Sequence, residues 1–209
     1  MSILLPEKIV IATLAAGLET VKANTSYFSK IFDEEVMGSD FVMKATDYLS
    51  GNKVRISQGY GIDDTRLPGW YVVPANVSPS EDFIGDYIAE EDTTDEDSDG
   101  DVYEGNLNAY TLRVISATPN GDATMILEAV ARYILLSARE VLGQTYGLNE
   151  VAVTATDLDP VYQYLPEHLF YRSTVMNFQG MNSWATNYSI IKDTELFIKF
   201  SPNETYIEV

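Results

Sequence analysis

Apolar side chains in the first fifty residues recur at helical spacing. Between Ile11 and Val21 they stand three or four residues apart, which places them on one face of a helix. Pro6 suits the first turn of that helix, because no backbone hydrogen bond there needs its missing N–H. The pattern predicts a helix over residues 6–22.

Two further helices are predicted before residue 52. Asn24, Thr25 and Ser26 can cap a short helix that carries Tyr27, Phe28, Ile31 and Phe32. Gly38-Ser39-Asp40 then interrupts the chain and can cap another helix, which Gly51 ends. The aromatic side chains of this region are interpreted as core residues.

From Lys53 the apolar period changes from about four to two, which predicts strands. The first covers residues 53–58, and the second, residues 70–73, is limited by prolines at both ends. Residues 82–88 form a less regular candidate, and residues 110–116 alternate most clearly.

A long helix is predicted after the turn Pro119-Asn120-Gly121-Asp122. It runs over residues 122–142, with Glu128 and Arg132 as an exposed i, i+4 pair, and Gly143 and Gly147 end it. Its wide apolar stripe requires a sheet to pack on. Strands follow at residues 150–156 and 168–177. Residues 187–209 are predicted to form an extended C-terminal arm, which suits an edge strand or an addition to a neighbour's sheet.

Together these elements predict an α+β fold. We expect one domain over residues 1–209, in which a mainly antiparallel sheet carries the long helix across one face, with a helical N-terminal part at about 6–50. An acidic insert at about 90–105 separates two strand candidates, so we interpret it as a long hairpin excursion.

The charge of the chain is concentrated around this insert. The net charge is −19, and the 24 residues from Glu81 to Glu104 contain twelve carboxylates and no basic residue. Such a segment cannot enter a core, since unpaired carboxylates are costly to desolvate. It must therefore face water, a metal ion or another chain. The candidate interaction residues are Glu91, Asp92, Asp95, Glu96, Asp97, Asp99 and Asp101.

Part of the insert has the spacing of a calcium loop. Asp95, Asp97 and Asp99 are followed by Gly100, as in the first six positions of that motif. Asn106 occupies the twelfth position, where the motif has a bidentate Glu, and a chance match is easy in a segment so rich in Asp. We expect no metal and no cofactor, and Asp95, Asp97 and Asp99 are kept as a weak calcium candidate.

Other chemistry is restricted by composition. The chain has no cysteine, which excludes disulfides and thiolate ligands, and a single histidine, His168, which we interpret as a surface or strand residue. No nucleotide-binding glycine motif is complete. The net negative charge is unfavourable for binding DNA phosphates. No apolar run is long enough for a membrane span. The N-terminus lacks a basic region ahead of its apolar residues, so we expect no cleaved signal.

The order of elements resembles the tail terminator and neck proteins of tailed bacteriophages. The resemblance covers roughly residues 50–180, and the N-terminal helices and the acidic insert depart from it. It rests on the strands at 53–58, 70–73 and 110–116, the helix at 122–142, and Gly147-Leu148-Asn149-Glu150-Val151 leading to Leu169-Phe170-Tyr171-Arg172-Ser173-Thr174-Val175.

The resemblance implies a non-enzymatic virion protein without catalytic residues. Such proteins form a ring, commonly a hexamer, at the top of the tail tube or at the head–tail junction, where they contact tube, sheath or connector proteins and DNA passes through. Assembly would occur in the host cytoplasm. The alternative that the residues leave open is an acidic-loop or calcium-dependent protein-binding module.

Overall fold

The computed structural model describes residues 4–59, 67–79, 87–90, 102–156, 166 and 168–186. Contacts between residues divide the chain into two units. The larger comprises Leu4–Glu81 and Leu107–Met181, and the smaller comprises Met1–Ile3, Asp82–Asn106 and Asn182–Val209. The predicted α+β class is confirmed.

Four helices form the N-terminal part of the larger unit. They are α1 (Pro6–Ala23), α2 (Ser26–Ile31), α3 (Glu34–Met37) and α4 (Ser39–Gly51). Helix α1 begins at Pro6, as predicted, and buries Val10, Leu14, Leu18 and Val21 on one face. The four-residue helix α3 was not predicted, because it buries none of its own side chains and so leaves no apolar period in the sequence.

The sheet contains six strands in the described part of the chain. They are β1 (Arg55–Gln58), β2 (Gly69–Pro79), β3 (Tyr87–Glu90), β4 (Val102–Thr118), β5 (Asn149–Thr156) and β6 (Phe170–Thr186). The strand order is β1-β2-β4-β6-β5, and β3 pairs with β4. β1 runs parallel to β2, whereas the pairs β2–β4, β3–β4 and β5–β6 are antiparallel, so the sheet is mixed and mostly antiparallel.

The prediction that Pro74 ends the second strand was wrong. β2 continues to Pro79, and its register with β4 shifts between Pro74 and Asn76. β1 pairs only with Gly69 to Val72 of β2, so Pro74 lies beyond the part of β2 that pairs with β1. A proline without an N–H is tolerated at such a position, particularly beside a bulge.

The predicted helix over residues 122–142 is divided into two. Helix α5 spans Gly121–Ser137 and α6 spans Arg139–Tyr146, with Ala138 between them. The Asn120 side chain accepts hydrogen bonds from the backbone N–H groups of Asp122 and Ala123, which caps α5 at the predicted turn. Gly143 was expected to end the helix but lies inside α6, which ends at Gly147 in the left-handed conformation.

The main core lies between the helices and one face of the sheet. Alternate strand residues such as Trp70, Val72, Leu112 and Val114 meet the buried faces of α1 and α5 there. Trp70 is fully buried, and its indole Nε1 donates to the carbonyl of Leu127 at 3.2 Å. The intervening residues Tyr71, Val73, Ile115 and Ala117 form a second buried cluster.

Candidate functional site

The acidic segment connects two paired strands. In the smaller unit Tyr87 pairs with Glu104 and Glu90 pairs with Val102, in antiparallel register. Strands β3 and β4, with the segment 91–101 that connects them, therefore form a hairpin. β4 begins at Val102, so residues 102–105 of the predicted insert belong to a strand.

The candidate interaction residues all lie in that connection. Glu91, Asp92, Asp95, Glu96, Asp97, Asp99 and Asp101 fall outside the described residues, and so does the calcium candidate formed by three of them. Seven of the eleven residues in 91–101 are acidic, and none is basic. The C-terminal arm predicted at 187–209 also lies outside the described residues.

The described residues hold one histidine and no grouped metal ligands. His168 is exposed and precedes β6, two residues before Phe170. Across the described ranges no three His, Asp or Glu side chains lie close enough together to hold a metal ion. The structure thus gives His168 a surface position, in agreement with the sequence-based interpretation.

A groove between α1, α2 and the α5–α6 pair is lined mainly by apolar side chains. Its volume is about 530 Å³. The lining includes the small residues Ala12, Ala16 and Gly17 of α1, and Ile134 and Leu142 of α5 and α6. We call this concavity the helical groove.

The close approach of α1 and α5 shapes the groove. A Cβ atom on Gly17 would overlap the side chain of Ile134, so only glycine allows the two helices to cross at this distance. Ala12 and Ala16, which neighbour this crossing on α1, add little volume. The groove remains open because small side chains stand where larger ones would fill it.

Three tyrosines line the helical groove. Tyr27 and Tyr133 meet edge to face, with ring centroids 6.3 Å apart, and Tyr146 is 45% exposed. The Lys30 ammonium lies 5.2 Å from the centroid of Tyr27. Val141, another lining residue, is 55% exposed. Apolar walls with a few amphipathic side chains are typical of surfaces that bind apolar groups.

Three apolar side chains of α3 and α4 are more than half exposed. Val36 is 75% exposed, Met43 58% and Met37 54%. On α4, Met43 lies opposite the buried residues Ala45 and Leu49. We call Val36, Met37 and Met43 the apolar projection.

Glu128 and Arg132 form the predicted i, i+4 ion pair, but the prediction that the pair lies on the exposed face was wrong for Glu128. Glu128 is only 3% exposed, and its Oε1 accepts a hydrogen bond from the Thr174 hydroxyl at 3.3 Å. Arg132 Nε lies 3.6 Å from the same oxygen, with 42% of its side chain exposed. Glu128 also lines a small cavity of about 120 Å³ together with Arg172 and Ser173. The sheet below the helix makes this position part of the core.

Sequence reasoning missed both the helical groove and the apolar projection. Helix α1 carries small residues at positions 12, 16 and 17, namely Ala12, Ala16 and Gly17. Small residues spaced in this way indicate close contact with another helix. Such spacing does not identify the partner helix, however, because α5 lies more than a hundred residues away. Val36 and Met37 stand between acidic residues and gave no periodic signal.

Comparison with known proteins gives no family assignment. No protein-family model matches the sequence, and no curated protein matches it. In the part of the chain that the structure describes, no helix is both long and apolar enough to cross a membrane.

Proposed function

We propose that this protein is a non-enzymatic structural protein of a tailed bacteriophage, which forms a ring at the top of the tail tube or at the head–tail junction. The observation that carries the proposal is the hairpin. Its ends, Glu90 and Val102, are paired, and the eleven residues between them contain seven carboxylates. The negative charge is therefore concentrated in a short segment whose two ends are held together by strand pairing.

The charge has a physical role in such a ring. If each copy turns its acidic connection toward the central channel, the channel carries several times the charge of one hairpin. The resulting field repels the phosphates of passing DNA and prevents it from sticking. This role requires no fixed side-chain geometry, which is consistent with a segment rich in Asp, Glu, Ser and Thr.

Exposed apolar residues of the larger unit support the proposal of a ring. α5 packs against α1 and β5, and its Trp70–Leu127 hydrogen bond ties it to the sheet. This support leaves the helical groove and the apolar projection on the outside as apolar surfaces for neighbours. Exposed apolar surface can support protein association where it forms a contiguous patch.

The first test compares three forms of the protein. In one variant a two-residue Asn-Gly turn replaces residues 91–101, which is feasible because the hairpin ends already pair. In a matched control the seven acidic residues become Asn or Gln, so that the segment keeps its length but loses its charge. Sedimentation measures assembly, and electron microscopy measures the channel.

We expect all three forms to fold and to form rings of the same symmetry. The turn variant should show a wider channel than the wild type, whereas the amide control should keep the wild-type channel width. A protein that stays monomeric at all concentrations and on tail tubes would contradict the ring. Rings with an unchanged channel would contradict the lumenal position of the hairpin.

The same material distinguishes the binding-module alternative. A calcium-dependent module would show a higher melting temperature in millimolar calcium, because a ligand that binds only the folded state stabilises it. On our proposal calcium leaves the melting temperatures of the wild type and the amide control equally unaffected. A calcium-induced rise confined to the wild type would favour the module.

A further inference from the structure

The two edge strands of the sheet differ in how they are protected against further pairing. β1 forms one edge, has only four residues, carries Arg55 and contacts helix α1. β5 forms the other edge and has eight residues, of which residues 151–156 contain no charge and no proline. Edge strands are commonly short, charged or interrupted by proline, because unpaired backbone groups invite another strand. β5 carries none of these devices after Glu150.

The side of β5 that faces away from β6 has no strand partner in the described part of the chain. Residues 151–156 pair with β6 on one side, and β5 is the last strand in the order of the sheet. A strand at such an edge presents a row of N–H and C=O groups to the outside. Ala152, Thr154, Ala155 and Thr156 are exposed there. We call the outward side of residues 151–156 the open edge.

A second groove begins beside the open edge. Its volume is about 730 Å³, and its lining joins α5, α6 and the start of β5 through Leu136, Gly143, Leu148 and Val151. Arg139, Glu140 and Glu150 also line it, so its charges have both signs and select no partner. Val151 and Val153 belong to the main core and its margin, on the helix side of the sheet. Helix-side residues of a strand added to β5 would therefore meet this groove.

The sequence beyond β6 contains a segment suited to such an edge. β6 ends at Thr186, and the predicted C-terminal arm, residues 187–209, follows outside the described ranges. Within it, residues 194–200 contain neither proline nor glycine. In an extended backbone the apolar side chains of Leu196, Ile198 and Phe200 share one side. Their alternation matches that of Val151 and Val153.

Charge favours this segment over the other undescribed ones. Residues 194–200 carry one acidic and one basic side chain, Glu195 and Lys199, and so have no net charge. Because residues 151–156 are uncharged, pairing would place no like charges opposite one another. By contrast, segment 91–101 carries seven carboxylates, and segment 157–165 contains Pro160. The C-terminal arm is therefore the best donor strand that the chain itself offers.

We propose that residues 194–200 of one copy pair with the open edge of β5 in the next copy. Backbone hydrogen bonds provide the affinity, and alternate apolar side chains beside Val151 and Val153 set the register. The donor belongs to the smaller unit and the acceptor to the larger one, so the contact is heterologous and repeats until a ring closes. The inference rests on the ring of the proposed function and adds the contact that builds it.

Hydrogen exchange measures the pairing at the acceptor. The outward amides among residues 151–156 should exchange about tenfold more slowly, or slower still, in the assembled protein than in the monomer. The amides of β1, at the opposite edge, are the internal control and should not change. Assembled protein with unprotected β5 amides would overturn the proposal, although the ring itself would stand. A protein that stays monomeric at all concentrations and on tail tubes would remove the ring and this contact together.

Crosslinking identifies the donor, and the chain has no native cysteine to interfere. The double variant Thr154→Cys with Lys199→Cys places one thiol on each strand, and each single variant carries only one of them. In the control, Met43→Cys replaces Thr154→Cys, because Met43 is 58% exposed on helix α4. Each variant is treated with a short bifunctional maleimide at a concentration at which the wild type assembles.

We expect a ladder of covalent oligomers from the double variant alone. Crosslinked dimers from Thr154→Cys alone would show that β5 pairs with itself across a two-fold axis, and this would overturn the proposal. A link within one chain, or an assembled double variant without a ladder, would overturn it as well. A ladder from the control would show that the thiol at position 199 reacts without selecting β5, which also contradicts the contact.

Mixing experiments provide a second measurement that does not need thiols. Ala152→Lys with Thr154→Lys adds charge to the open edge beside Lys199, and Ile198→Asp disrupts the donor. Each variant alone should assemble about tenfold more weakly than the wild type or worse, whereas an equal mixture should form dimers, because one intact arm can meet one intact edge. Glutamine at positions 152 and 154 is the uncharged control and should assemble normally. Circular dichroism confirms folding, and a mixture as monomeric as its components would contradict the proposal.

Discussion

Replacing Glu128 by alanine distinguishes the buried position of this carboxylate from the exposed one that its sequence predicts. An exposed i, i+4 pair with Arg132 contributes only about 0.3–0.5 kcal/mol. In the structure Glu128 is 3% exposed, and its carboxylate accepts a hydrogen bond from the hydroxyl of Thr174, which is itself fully buried. The two positions therefore predict stability losses of different size.

The magnitude follows from the contacts that the substitution removes. A buried Thr174 hydroxyl without its acceptor costs about 1–3 kcal/mol. The lost side-chain methylenes add about 0.8 kcal/mol each. The higher helix propensity of alanine returns a few tenths of a kcal/mol. We expect Glu128→Ala to lower the free energy of unfolding by about 2–4 kcal/mol, which for a chain of this size corresponds to about 4–16 °C in melting temperature.

Urea unfolding followed by far-ultraviolet circular dichroism measures this loss. Glu140→Ala is the matched control, since Glu140 is also acidic and helical but exposed, and it should change stability by less than about 0.5 kcal/mol. A double-mutant cycle with Thr174→Val should give a coupling of at least about 1 kcal/mol. The reasoning is refuted if Glu128→Ala costs no more than Glu140→Ala.

Three further substitutions test the packing around the core. Gly17→Ala should destabilise the protein by about 1 kcal/mol, because overpacking against Ile134 outweighs the helix propensity of alanine. The loss should be smaller in an Ile134→Ala background. Additive effects of the two substitutions would contradict the close crossing of the helices. Trp70→Phe should lower the free energy of unfolding in urea by about 1–3 kcal/mol, since it removes the hydrogen bond to Leu127 and leaves a cavity. A loss under about 0.5 kcal/mol would be inconsistent with full burial of Trp70. Burial raises the pKa of Tyr48 above 10.0, so the Tyr48 hydroxyl ionises first in the unfolded chain, and the free energy of unfolding falls as pH rises through the folded pKa. Tyr48→Phe should therefore make the alkaline decline in stability shallower. An unchanged slope would count against this assignment.

The sequence predicts most elements where one physical signal dominates. α1 and α4 follow helical apolar spacing, with Pro6 at the start of one and Gly51 at the end of the other. The turn before α5 is predicted by Asn120, whose side chain does cap the helix. In each case the signal and the structure lie within a few residues of one another.

Predictions fail where the decisive contact is distant along the chain. Pro74 is compatible with a strand only because β1 ends its pairing at Val72, and no local pattern shows how far a neighbouring strand extends. Glu128 and Arg132 have the spacing of a solvent-facing pair, yet Thr174 on β6 brings Glu128 into the core. The division of α5 from α6 at Ala138 has no glycine or proline to mark it.

The candidate site divides in the same way. The charge of segment 91–101 is a property of composition and is evident from the sequence, and its hairpin context needs only the pairing of Glu90 with Val102. The helical groove depends instead on Gly17 meeting Ile134, two residues that only the tertiary fold brings together. The two features therefore favour different tasks. Concentrated charge acts at long range on any charged molecule nearby, whereas a groove built by tertiary contacts can bind one neighbour selectively. In the proposed ring, variants of the hairpin should alter the channel without affecting assembly, whereas variants of the groove should affect assembly without altering the hairpin.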